Sequence, residues 1–227
     1  DRGQVGVHRG GVAPAHQFHQ RTDPMTEGNL VETDVPGDFA KPGFVIGKAV
    51  AMHQHDGHGP DAVVMGGDLV NRGPRPAECL EYVLEKQQAE GWRFVRGNHE
   101  DYVISRADPG IAEDEPAFEV HRASHWTYEQ LGRDLSPLQS MPFQQSLYGP
   151  GSSEVRIVHA SMRNNRDGIY SETTDLDLSR KIAPPGKQCP PPAVLVVGHT
   201  HRPLIRQLDG TLVVNAGSAG LPFDRDP

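Results

Sequence analysis

From residue 60 onward, short apolar runs alternate with polar or glycine-rich turns. DAVVMGGD (61–68) ends in Gly-Gly-Asp and WRFVRGNHED (92–101) in Gly-Asn-His. SEVRIVHAS (153–161) runs into His159, AVLVVGHTHRPLI (193–205) into His199 and His201, and GTLVVNAGS (210–218) into Asn215. Runs this short, rich in Val, Ile and Leu, predict buried strands. A further strand is predicted within GFVIGKAVAM (43–52). PAECLEYVLEKQQAEG (76–91) has helical spacing, with Cys79, Leu80, Val83 and Leu84 on its inner face. Pro76 suits its first turn and Gly91 its C-terminal stop. EDEPAFEVHRASHWTYEQLGRDL (113–135) predicts one or two helices, so that 107–145 is a candidate helical cap, and 162–192 reads as a long loop with one short helix.

Strands alternating with helices define an α/β chain. In open α/β sheets, ligands sit outside the C-terminal ends of the strands. Asp68, Asn98, His159, the His199/His201 pair and Asn215 all fall at such ends. A strand end carries a polar side chain at little cost, whereas mid-strand it would need a buried partner. Carboxylate, amide and imidazole together form a mixed oxygen and nitrogen donor set, better suited to Mn, Fe, Zn or Ni than to Ca. No cysteine falls among these positions, which argues against a structural zinc knot.

Residues 1–42 lack both periods and are rich in Gly, Pro, His and Arg, so a loop-rich segment is expected there, ahead of one domain over 43–227. The 227 residues, 36% hydrophobic, suffice for a sizeable core. The net charge of −8 comes without a basic stripe, so no extended nucleic acid is expected as a partner. No stretch approaches the roughly 20 apolar residues of a membrane span. Two cysteines are too few for a disulfide framework, and the N-terminus lacks the apolar core of a signal peptide. A cytoplasmic location is the expectation. Twelve His against five Tyr and two Trp directs attention to metals.

GDLVNRG (67–73), GNHED (97–101), VHAS (158–161) and GHTHR (198–202), in this order, resemble the blocks of the calcineurin-like metallophosphoesterases. The tail NAGSAGLPFDRDP is similar to that of small bacterial members, and the resemblance spans about residues 60–227. It implies a four-layer αββα sandwich of two mixed β-sheets flanked by helices, with two divalent metal ions at the strand ends. Carried over by position, it implies that Asp68 bridges both ions, that Asn98, His159 and His199 complete one site, and that His201 serves the other. It gives His99 the protonation of the leaving oxygen and Arg72 the phosphate oxygens. The implied reaction is hydrolysis of a phosphomonoester or phosphodiester by metal-bound hydroxide, on a small phosphorylated molecule or a phosphoprotein. A degenerate member that binds one metal or a nucleotide-like ligand with little turnover is the alternative.

Family members open on a strand ending in Asp-x-His, followed by a helix. Here Asp56-Gly57-His58 precedes Asp68 too closely for that helix. Asp56 and His58 are therefore surrogate ligands, or else the first motif is missing. Asn71 stands where related phosphatases with a GDxxDRG block carry Asp, and either orients His99 or shapes the turn. Glu100 and Asp101 are either partners that fix a ring tautomer or solvated charges. Arg163 either reaches substrate phosphate or lies in an exposed loop. His121 and His125, four apart on one helix, favour packing over metal binding, and His8, His16 and His19 belong to the N-terminal tail.

Overall fold

Leu30–Glu32 (β1), Ala49–His53 (β2), Ala62–Met65 (β3) and Arg93–Phe94 (β4) form one sheet in that order. The computed structural model describes residues 30–32, 49–53, 62–107, 110, 112–186, 189–215, 217, 218, 221 and 223. β1 pairs antiparallel with β2, and β2 antiparallel with β3, while β3 and β4 run parallel. Within the segment expected to be loop-rich, residues 30–32 pair with β2.

The second sheet contains Gln144–Tyr148 (β5), Glu154–Val158 (β6), Val194–Val197 (β7), Leu204–Leu208 (β8) and Thr211–Asn215 (β9), in the order β5-β6-β7-β9-β8. β6, β7 and β9 are mutually parallel, and β5 and β8 close the edges antiparallel. The parallel strands are the near-continuous apolar runs visible in the sequence. The edge strands QQSLY and LIRQL are half polar because only part of each is covered.

Alternation along the strands sets the layers. Val64 joins Val95, Leu147, Val155, Ile157 and Val196 in a core drawn from both sheets, so the sheets face each other. Val63 and Met65 point the other way, into a core with Cys79, Leu80 and Val83 of the helix Pro76–Glu90 (α1). Leu195, Val197 and Val213 leave the second sheet outward, toward Leu178 and Ile182 of the helix Asp175–Ile182 (α5, numbered in chain order). Helix, sheet, sheet and helix make the four-layer αββα sandwich.

α1 opens with Pro76 and closes at Gly91, whose φ of +70° ends the helix as only glycine does without strain. Its N–H donates to Gln87 O at 3.1 Å. Asn98–Arg106 (α2), Arg122–Gln130 (α3) and Ser136–Ser140 (α4) complete the helices. The helices expected over 107–145 are α3 and α4, and Leu138, with the half-buried Tyr128, Leu131 and Leu135, enters the α1 core. Among the described residues, no helix is long and apolar enough to cross a membrane.

Candidate metal centre

β3 and β4 from one sheet and β6 and β7 from the other deliver their C-terminal ends to one place. Asp68 follows β3, Asn98 opens α2 just after β4, His159 follows β6, and His199 follows β7. The Asn98 side-chain oxygen lies 2.9 Å from His159 Nε2 and 2.7 Å from His199 Nδ1. Asp68 Oδ2 is 3.3 Å from His159 Nε2. Asp68, His159 and His199 form the one group of three His, Cys, Asp or Glu among the described residues that could hold a metal ion.

The donor chemistry fits a cation. His159 is wholly buried and its Nδ1 donates to Gly66 O at 2.7 Å, which turns Nε2 toward Asp68 and Asn98. Metal-ligating histidines are held in this way, with the second nitrogen donating to a carbonyl. Bonds of about 2.0–2.2 Å to one ion set neighbouring donors roughly 3 Å apart, which matches these spacings. Burial works against charge on His159, but Asp68 outweighs it and raises the imidazole above its ordinary value. Burial likewise opposes ionisation of Asp68, yet His159 and His99 hold it well below the usual carboxylate range. The negative carboxylate and the imidazoles drawn to it are the arrangement that a divalent ion replaces when it displaces the protons.

Backbone geometry marks the same residues. Asp68, Asn71, His199 and His201 have φ between +58° and +74°; the other described non-glycine residues with positive φ, Arg133, Ser152 and Asp209, are not among the expected site residues. Such left-handed conformations cluster where side-chain direction matters more than local comfort. Gly67 and Gly97 allow the close approach. A Cβ on Gly97 would overlap Asp68 Oδ1 and come within 2.6 Å of Asp68 N, and one on Gly67 would lie 2.7 Å from Gly97 N. Gly97→Ala is expected to leave the fold intact but weaken metal affinity by about 10–100-fold, the range for residues that orient ligands. Metal titration followed by calorimetry measures it, with circular dichroism as the check on folding.

Arg72 and His99 stand beside the cluster. His99 is in the first turn of α2, where its backbone N–H donates to Asp68 Oδ1 at 3.1 Å. Its ring Nδ1 lies 3.2 Å from the Asn71 amide, and Arg72 Nε lies 3.3 Å from Nε2. Burial lowers the His99 imidazole below its ordinary value. Asp68 opposes this, and the Arg72 charge adds to the lowering.

Other expected residues are placed differently. The Glu100 carboxylate binds the backbone around Asp68. It is fully buried and accepts N–H bonds from Asp68 (2.9 Å), Leu69 (2.7 Å), Val70 (3.2 Å) and Gly97 (2.8 Å). Burial and the Asp68 charge push it upward, and the N–H groups of Asp68 and Gly97 pull it back. Asp101 accepts from Asn165 Nδ2 at 3.1 Å and pairs with Arg96. The Arg163 guanidinium pairs with Asp167 at 3.1 Å and Asp177 at 2.9 Å, two carboxylates that the folded 162–192 segment brings to it. His201 lies outside the three-residue group. Its Nδ1 bonds Leu221 O at 2.6 Å and its ring stacks on Phe223. Asp56 and His58 lie outside the described residues. His125 packs edge-on against Phe118, its Nδ1 2.6 Å from Ala107 O.

Sequence reasoning overlooked Asn215 as a support. Its Nδ2 donates to Gly198 O at 2.8 Å and Thr200 Oγ1 at 2.9 Å, bracing the turn that presents His199. The grip of Glu100 on Gly97 was signalled by Gly-Asn-His-Glu, an N-cap followed three residues on by Glu.

Residues 46–227 match the family model of the calcineurin-like phosphoesterase superfamily domain, and the chain belongs to that superfamily. A metallophosphoesterase from Sphaerobacter thermophilus is 28% identical, with a TM-score of 0.56 over 76% of this chain and 71% of that one. A hypothetical protein from Pyrococcus horikoshii OT3 shares the fold at 20% identity and a TM-score of 0.53. The match covers 70% of this chain but only 66% of that one, just under two thirds of its length. No curated protein sequence matches this chain.

Proposed function

We propose that this chain is a metal-dependent phosphoesterase acting on a small phosphorylated molecule or a phosphoprotein. The grouping of Asp68, His159 and His199, with both rings on the Asn98 amide oxygen and Arg72 and His99 alongside, carries this reading. In it, Asp68, Asn98, His159 and His199 hold a divalent ion, and His201 serves a second. Bound there, such ions supply Lewis-acid polarisation of the phosphoryl group and an acidified water. The exposed Arg72 offers planar, permanently charged donors to phosphate oxygens. His99 passes a proton to the departing alcohol once its Nε2 has taken one up. General acid help of this kind is worth about 10²–10⁴-fold.

A one-metal or weakly active member is the second reading, and β2 favours it. β2 runs antiparallel to β3, with Ala49 beside Met65 and Met52 beside Ala62. His53 and Ala62, which flank the Asp56-Gly57-His58 stretch, thus sit at the end of β3 opposite Asp68.

Metal content and turnover separate the two. Plasma mass spectrometry is expected to find close to two Mn, Fe, Zn or Ni ions per chain, with Mn-stimulated hydrolysis of p-nitrophenyl phosphate or its diester. One ion without turnover selects the second reading, and no metal under any loading condition refutes both. Loading is expected to weaken on acidification, because the raised His159 must surrender its proton before it can ligate.

A further inference from the structure

Thr127, on the buried face of α3, reaches the metal centre through one amide. Its hydroxyl donates to Ala123 O at 2.8 Å and lies 3.4 Å from Asn71 Oδ1, while Asn71 Nδ2 lies 3.2 Å from His99 Nδ1. A hydroxyl has one proton, and the shorter contact to Ala123 O takes it. With Oδ1 toward Thr127, two acceptors face each other. With Nδ2 toward Nδ1 and Arg72 Nε toward Nε2, both ring nitrogens of His99 would have to accept, which no neutral imidazole does.

A half-turn of the amide interchanges its oxygen and nitrogen without moving any other atom. Nδ2 then donates to the Thr127 oxygen, Oδ1 accepts from His99 Nδ1–H, and His99 Nε2 accepts from Arg72 Nε. Each of these three contacts now pairs a donor with an acceptor.

We propose that Thr127 is a positioning residue that acts through Asn71. Its hydroxyl fixes which end of the amide meets His99, and so keeps the proton on Nδ1 and leaves Nε2 as the nitrogen that takes up a proton and passes it to the leaving oxygen. Asn71 thereby supplies the acceptor that a carboxylate would supply, without the charge. The role in catalysis rests on the phosphoesterase reading above. The tautomer does not.

The test compares Thr127→Val and Thr127→Ser on two monoesters. Phenyl phosphate releases a phenol with a pKa of about 10 and needs the proton from His99. p-Nitrophenyl phosphate releases a stabilised anion and needs it far less. Thr127→Val is expected to lower kcat on phenyl phosphate by about tenfold or more, a part of the general-acid contribution, and on p-nitrophenyl phosphate by less than about threefold. KM should hold on both, and Thr127→Ser should restore the rate. In parallel, nitrogen-15 spectra of the zinc-loaded protein, histidine-labelled, should show His99 protonated at Nδ1 in the wild type and Thr127→Ser, and redistributed in Thr127→Val. Equal loss on both esters, failure of Ser to rescue, or a wild-type ring protonated at Nε2 but not at Nδ1 overturns the proposal. A wild type that hydrolyses neither ester nor the p-nitrophenyl diester refutes the phosphoesterase reading instead, and the ring spectra still decide the role of Thr127.

Discussion

Asp68→Ala is expected to abolish metal binding and hydrolysis together, whereas His99→Ala keeps the metal and lowers kcat by about 10²–10⁴-fold. The contrast follows from what each side chain touches. Asp68 is the one carboxylate in the cluster, and its Oδ2 lies 3.3 Å from His159 Nε2. Without it, His159, His199 and Asn98 offer only neutral donors to a divalent ion. The expected loss of affinity exceeds the 10–100-fold typical of residues that merely orient ligands. Asp68→Asn is the sharper variant. It can still accept the His99 backbone N–H now bonded to Oδ1 at 3.1 Å, so α2 keeps its start while the charge is gone. His99 meets the cluster only through that N–H, and its ring faces Asn71 and Arg72. Metal analysis and steady-state kinetics on the three variants decide the matter. Equal metal loss in Asp68→Asn and His99→Ala would falsify the division of roles.

What could be read from the sequence was what local patterning controls. α1 declared itself through the spacing of Cys79, Leu80 and Val83, and Gly91 marks its end because the chain there must turn left-handed. β6, β7 and β9 were visible because parallel strands covered on both faces are apolar along their length. β5 was not, since an edge strand written QQSLY looks like any polar loop until β6 pairs with it. The convergence of Asp68, Asn98, His159 and His199 could be inferred from their strand-end positions, since the fold gathers those ends. The partners of Arg163 and Asp101 were hidden. They depend on how 162–192 folds back, which no period in the sequence records. Thr127 was hidden for the same reason, 56 residues from the amide it touches.

Glu100 tests whether the loop bearing Asp68 is held by its own sequence or from outside. Asp68 has a φ of +58° and follows Gly67 at +87°, a path with no regular backbone partner of its own. Its N–H and those of Leu69 and Val70 all donate to the Glu100 carboxylate, which also takes the N–H of Gly97. Four donors need four lone pairs, and only the ionised acid offers that number. A buried donor left without a partner costs about 1–3 kcal/mol. Glu100→Ala should therefore lose about 4 kcal/mol or more, against a total stability of about 5–15 kcal/mol. At about 2–4 °C per kcal/mol for a chain of this size, that is a fall in Tm of at least roughly 8 °C. If Glu100 served only as the cap of α2 through Gly97, the loss would be nearer 1 kcal/mol. Glu100→Gln separates the two cases. Its amide keeps the shape but turns one oxygen into a donor, facing either the Leu69 and Val70 pair or the Asp68 and Gly97 pair. A cage predicts that Gln costs about half as much as Ala or more and also weakens metal affinity, because the Asp68 loop loses its clamp. Differential scanning calorimetry with metal titration reads both effects, and a Gln variant as stable and metal-competent as the wild type would mean that Asp68 is held by other contacts.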